Sequence, residues 1–162
     1  MSIYPDFLSH HMNTIFSSET MLPWKEKSII LGLSCWLLAI PAFITESLIW
    51  KIIFVLQASI AYVSDYTYSG VAHWSHGLDR TYATLFAVVQ CALCFKVLRL
   101  WMALLFVCCG FGCIYASRRS VQDGKYHDYV IWHTTWHIVG SLLLSYLHYQ
   151  IRRGSSGMKK LW

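Results

Sequence analysis

Residues 48–74 read LIWKIIFVLQASIAYVSDYTYSGVAHW, an apolar run from Leu48 through Ile60 and Val63 whose later half carries Asp65, Ser69 and His73. A helix needs about 20 mostly apolar residues to cross about 30 Å of hydrocarbon, and this run is long enough. Ionisable and polar side chains at such a depth are costly, so by default they face the interior of a bundle and mark a functional site.

Four further runs of the same kind flank this one. The first is Ser28 to Thr45, interrupted by Pro41, which a lipid-embedded helix tolerates when a neighbour satisfies the freed carbonyl. Thr81 to Leu98 follows a loop, His76-Gly77-Leu78-Asp79-Arg80, with Asp79 a possible N-cap. Leu100 to Ala116 comes after a turn marked by Lys96 and Arg99. Residues 117–127 are polar and turn at Asp123-Gly124, and the last run is Tyr129 to Tyr149. The pattern predicts an all-α fold, a polytopic membrane bundle of about five transmembrane helices over residues 28–150. A polar segment, residues 1–27, precedes it and a basic tail, residues 151–162, follows.

Composition agrees, because 56% of the residues are hydrophobic and 13% charged, against about a quarter charged in soluble domains. Trp24, Trp50, Trp74, Trp101 and Trp132 fall near predicted helix ends, where amphipathic rings prefer the headgroup zone. The six cysteines lie in apolar stretches and read as packing residues, Cys91-x-x-Cys94 included. The net charge of +5 is carried by helix flanks and by a tail with Arg152, Arg153, Lys159 and Lys160. With no basic patch elsewhere, nucleic acid is not an expected partner and the lipid bilayer is. The concentrated tail charge points to a cytoplasmic C-terminus of an integral multi-pass protein, in an endomembrane (ER or Golgi) or the plasma membrane. Residues 1–27 lack a secretory pattern, so the first span reads as an uncleaved anchor.

Helix two carries Asp65, Ser69 and His73 at i+4 spacing, and helix five carries His133 and His137 at the same spacing. Two imidazoles one turn apart on one helix face can reach a common ion. His73 lies at the far end of helix two, while His133 and His137 lie at the start of helix five. Two crossings separate those ends, so all three meet at one membrane face, with Asp79 at the start of helix three beside them. Three neutral imidazoles and an open position suit a catalytic zinc, which lowers the pKa of bound water to about 7. A thiolate site would need cysteines at this level, and the sequence places none there.

In Ser69-Gly-Val-Ala-His73, Asp79 and His133-Thr-Thr-Trp-His137, the chain resembles the CREST superfamily of membrane hydrolases. That group takes in alkaline ceramidases, GPI-remodelling lipid hydrolases, progestin and adipoQ receptors and the myomaker group. The resemblance implies that His73, His133 and His137 ligate Zn2+ and that Ser69 and Asp79 position or activate a water. The implied activity is ceramidase-like hydrolysis of an amide or ester bond in a membrane lipid. About five helices would make the bundle a shortened form of the family's seven-helix core, and residues 1–27 lack the acidic calcium-binding cluster of the alkaline ceramidases. The alternative is a noncatalytic receptor or membrane-remodelling protein with a structural zinc. Bis-histidine haem and a di-iron oxygenase fit less well, since the histidines cluster in a three rather than pairing, and are too few for a di-iron site.

Overall fold

Ser28 and Ser47 each stand just ahead of an apolar run, and each caps a helix. The Ser28 hydroxyl accepts from the Leu31 amide at 3.2 Å and that of Ser47 from the Trp50 amide at 3.5 Å, occupying donors that a first turn leaves free. The computed structural model describes residues 24–158, with side chains as far as Gly154. Among the described residues every regular element is helical: α1, Ile29–Ile44; α2, Leu48–Thr67; α3, Trp74–Val97; α4, Leu100–Gln122; and α5, Tyr126–Met158. The expected all-α bundle is therefore the fold, and α2, α3 and α4 are each long and apolar enough to cross a membrane. Most of the polar N-terminal segment, residues 1–23, and the tail lysines Lys159 and Lys160 lie outside the described residues. The stretch read as a tail from residue 151 continues α5 as helix to Met158.

Several boundaries move from where the sequence put them, each for a local reason. The α-helical part of α2 ends at Tyr62 and passes into a π-helical turn, Val63–Thr67, so the chain leaves the helix before Ser69. Helix α3 begins at Trp74 because His73 caps it, which makes Asp79 a residue of its second turn rather than its cap. Helix α4 runs through Arg118 and Arg119 to Gln122. It ends in a Schellman motif, with Lys125 N–H bonded to Ser120 C=O and Gly124 N–H to Val121 C=O. Gly124 takes φ of 69° there, the left-handed conformation that this motif needs and glycine adopts at least cost.

Pro41 breaks α1 as its chemistry requires. The helix tightens to a 3-10 turn over Trp36–Ala39 before resuming at Pro41–Ile44. Proline has no N–H for the carbonyl of Leu37 four residues earlier. That carbonyl takes Ile40 N–H at 3.0 Å and the Ser141 hydroxyl of α5 at 2.6 Å instead. Ser141→Ala is expected to lower stability by about 0.5–2 kcal/mol, the range for one interhelical bond within a membrane bundle. Unfolding in mixed micelles reads the loss, and an unchanged midpoint would mean that the bond is idle.

Helix α1 packs on α2 and α5, while α3 packs on α2, α4 and α5, and α4 lies along α5. Hence α1, α2, α3 and α5 surround a shared interior in which side chains of α2 and α5 meet. The surface and the interior have exchanged their usual chemistry. Ile29, Leu33, Phe43, Leu48, Leu85 and Leu142 are exposed, whereas Ser34, Gln57, Ser64, Gln90, His137, Ser141 and His148 are buried. An apolar exterior of this extent has lipid as its natural solvent.

Candidate metal centre

The π-helical turn at the end of α2 aims Asp65 inward, toward the first turns of α5. Its Oδ2 lies 3.1 Å from Nε2 of His133 and 3.9 Å from Nε2 of His137. The sulfur of Cys35 on α1 completes a group: ligand atoms of Cys35, Asp65 and His137 all lie within 4.8 Å of one another. Two ligands of one tetrahedral zinc, each about 2.0–2.3 Å from it, stand about 3.3–3.8 Å apart, so the set closes on an ion only if its members draw together by up to about 1 Å.

The hydrogen bonds behind these residues decide where each imidazole carries its proton. The Ser34 hydroxyl donates to the Leu31 carbonyl at 2.7 Å. Its oxygen can then only accept from His137 Nδ1, 2.8 Å away. His137 is thereby the Nδ1–H tautomer, and its Nε2 lone pair faces the Asp65 carboxylate. Two acceptors that face each other in a buried site repel, unless a cation or a proton stands between them. His133 has the opposite tautomer, because Nε2–H donates to Asp65 while Nδ1 accepts from Ser117 of α4, 3.1 Å away. A serine thus fixes the outer nitrogen of each histidine, the support that metal-ligating imidazoles commonly receive. Buried Cys35 and His137, with the partly buried Asp65, could hold a metal ion.

Of the residues singled out from sequence, His133 and His137 meet as expected, but around Asp65 rather than His73. His73 Nδ1 accepts from the Ser75 amide at 3.3 Å and faces the Ser75 hydroxyl at 2.9 Å. Its ring stacks on Tyr68 with centroids 3.5 Å apart. Ser69 is buried, and its hydroxyl donates to the Glu26 carbonyl at 3.4 Å, so both residues of the Ser-x-x-x-His motif hold the loop between α2 and α3. Asp79 does come near, within electrostatic reach of Asp65, and its Oδ1 is buried with no partner among the described residues. His76 has both ring nitrogens engaged, Nδ1 with Ser64 at 2.9 Å and Nε2 with the carbonyls of Tyr68 and Val71 at 3.1 and 2.9 Å.

Sequence reasoning missed Cys35 and underrated Asp65. Cys35 packs among Leu38, Ala58 and Ala61 as a small core residue, and it also sits beside Asp65 and His137, where no thiol was expected. The available signal was length: counted from Leu48, about 20 residues end a span near Thr67, which leaves Asp65 inside it and Ser69-Gly70 in the turn. His148, near the far end of the last apolar run, is fully buried. Trp24 packs on Tyr126 and Tyr129, with ring centroids 5.4 and 6.0 Å apart, and Tyr129 lies 5.1 Å from the His133 ring. Residues 24–28 therefore cover this end of the bundle.

Comparison with protein families, with curated proteins and with solved structures finds no match to this chain. Its chemistry has to be argued from the centre itself.

Proposed function

We propose that the chain is a zinc-dependent membrane hydrolase that cleaves an amide or ester bond of an acyl lipid. The observation that carries this reading is the His137 Nε2 lone pair turned toward the Asp65 carboxylate and the Cys35 thiol, a buried N, O and S donor set. Imidazole, carboxylate and thiolate are the ordinary ligands of zinc. Zinc held there would supply Lewis acidity, polarising a carbonyl and acidifying a water.

The chain's own residues supply the remaining functions. His133 donates to Asp65 and keeps the carboxylate aimed at the centre. Asp79, within electrostatic reach of Asp65 and with one oxygen unpartnered, would serve as the general base once ionised. Beside Ser34, an apolar crevice of about 260 Å³ is lined by Ile30, Leu33, Leu37, Thr134 and Ile138. Ile30, Leu33 and Ile138 are exposed on the bundle's apolar exterior, so an acyl chain has a place to lie next to the residue that orients His137.

A second reading, a noncatalytic receptor or membrane-remodelling protein with a structural zinc, is favoured by one contact. His133 Nε2 is 3.1 Å from Asp65, and with its proton moved to Nδ1 and donated to Ser117 it would be a fourth ligand that closes the site, as structural zinc sites are closed. Metal analysis of the detergent-solubilised protein beside a His137→Ala variant tests the common premise: about one zinc per chain is expected, lost in the variant. Incubation with labelled ceramides and phospholipids then separates the readings. Fatty acid release by the wild type, abolished in Asp79→Ala, is the expected result. A zinc-loaded protein that releases none supports the receptor, and iron in place of zinc removes both.

A further inference from the structure

Helix α5 bears a polar series that extends well past the metal centre. His133, His137, Ser141, Ser145, His148 and Arg152 follow at intervals of four, four, four, three and four residues, which stacks them on one face. At about 1.5 Å per residue the series spans about 28 Å, close to the thickness of the hydrocarbon core. One end is the Asp65 centre. The other is the exposed ion pair of Arg152 with Glu46, at 2.8 Å.

Between those ends, side chains of three helices hold buried polar atoms with no partner among the described residues. They are Oε1 of Gln57 on α2, Oε1 and Nε2 of Gln90 on α3, and Oγ of Ser145 and Nε2 of His148 on α5. Gln57, Gln90 and His148 are 5%, 3% and 1% exposed, so neither lipid nor bulk water reaches them. They are spread along the interior to either side of one level. The His148 ring is 4.9 Å from that of Phe54, which is 5.5 Å from that of Phe86. Helices α2 and α3 run in opposite directions, so Gln57 lies about one turn from Phe54 toward the Asp65 end and Gln90 about one turn from Phe86 toward the Glu46 end.

Two carboxamides, a hydroxyl and an imidazole offer donors and acceptors but no paired charge. An ion would lack a counter-charge there, and an acyl chain would leave the polar atoms unsatisfied. A small neutral ligand that both donates and accepts does fit, and buried water, with about three bonds per molecule, is the usual partner of such groups. We propose that Gln57, Gln90, Ser145 and His148 hold a file of water that joins the two ends of the α5 series and passes protons along it. Each hop breaks one O–H bond and forms another on the next oxygen, so nothing is consumed. This activity goes beyond the hydrolase reading and needs no metal.

The test uses the full chain in liposomes that contain a pH-sensitive dye, with a potassium gradient and valinomycin setting the potential. Wild type is expected to acidify the interior several-fold faster than protein-free vesicles. Gln57→Leu with Ser145→Leu should return the rate to the protein-free value, while Phe43→Leu on the lipid face keeps it. Wild-type flux no faster than the protein-free rate, or undiminished flux in the double variant, overturns the proposal. Since two leucines can disturb the core, X-ray hydroxyl-radical footprinting of the unmodified protein gives a second reading, because radicals born from bound water oxidise the side chains beside it. Phe54, which is fully buried, is expected to be labelled despite its burial. If Phe54 stays unlabelled while exposed Trp74 is labelled, no water file exists.

Discussion

Asp65→Ala is expected to weaken metal binding more than about 100-fold, while His73→Ala leaves it unchanged. Asp65 is the one residue that faces Cys35, His133 and His137 together. Loss of a supporting residue alone commonly lowers metal affinity about 10–100-fold, and loss of a ligand should exceed that. The substitution also strands the buried His133 Nε2–H, a cost in stability of about 1–3 kcal/mol, so affinity must be measured on protein shown to be folded. His73 has its Nδ1 committed to Ser75 and its ring to Tyr68. Its loss removes a helix cap, worth about 1 kcal/mol, and no ligand. Competition with a chromophoric chelator reads the affinities of both variants. If His73→Ala loses the metal and Asp65→Ala keeps it, the centre is the Ser-x-x-x-His site implied by sequence resemblance.

The contrast between these two residues marks the limit of what periodicity reveals. Apolar run length is a property of sequence, and it located five helices and brought the end of α2 to the same face as the start of α5. The i+4 spacing of His133 and His137 held because α5 stays helical through both. The same spacing from Asp65 to Ser69 and His73 misled, because it presumes an α-helix where the chain takes a π turn and then a glycine-bearing loop. Cys35 could not be found by spacing at all. It reaches the centre from α1, and which face of α1 turns inward depends on the 3-10 turn before Pro41 and on the bond from Ser141 to Leu37. The serines behind the histidines are similar. Ser34 and Ser117 are 103 and 16 residues away from their partners, and serine is too common in such helices for its presence to single them out.

Gly70→Ala is expected to cost about 2–4 kcal/mol, through a loop that touches no metal ligand. Gly70 has φ of +69°, a conformation that costs an L-residue about 1–2 kcal/mol. A Cβ there would lie 2.0 Å from the Trp24 carbonyl oxygen and 2.9 Å from Lys25 Cα. Both are backbone atoms, so no rotamer change relieves the overlap and residues 24–28 must lift away. With them go the bond from Ser69 to Glu26 and the packing of Trp24 on Tyr126 and Tyr129. Trypsin should then cut faster after Lys25 and Lys27, and the unfolding midpoint should fall. Gly112→Ala in α4 is the control, because nothing lies within 4 Å of its added Cβ and alanine gains up to about 1 kcal/mol over glycine in a helix. If Gly70→Ala matches wild type in both assays, residues 24–28 do not cover this end of the bundle. Metal retained by a destabilised Gly70→Ala would show that the geometry of the centre resides in α1, α2 and α5, with the loop acting only as its cover.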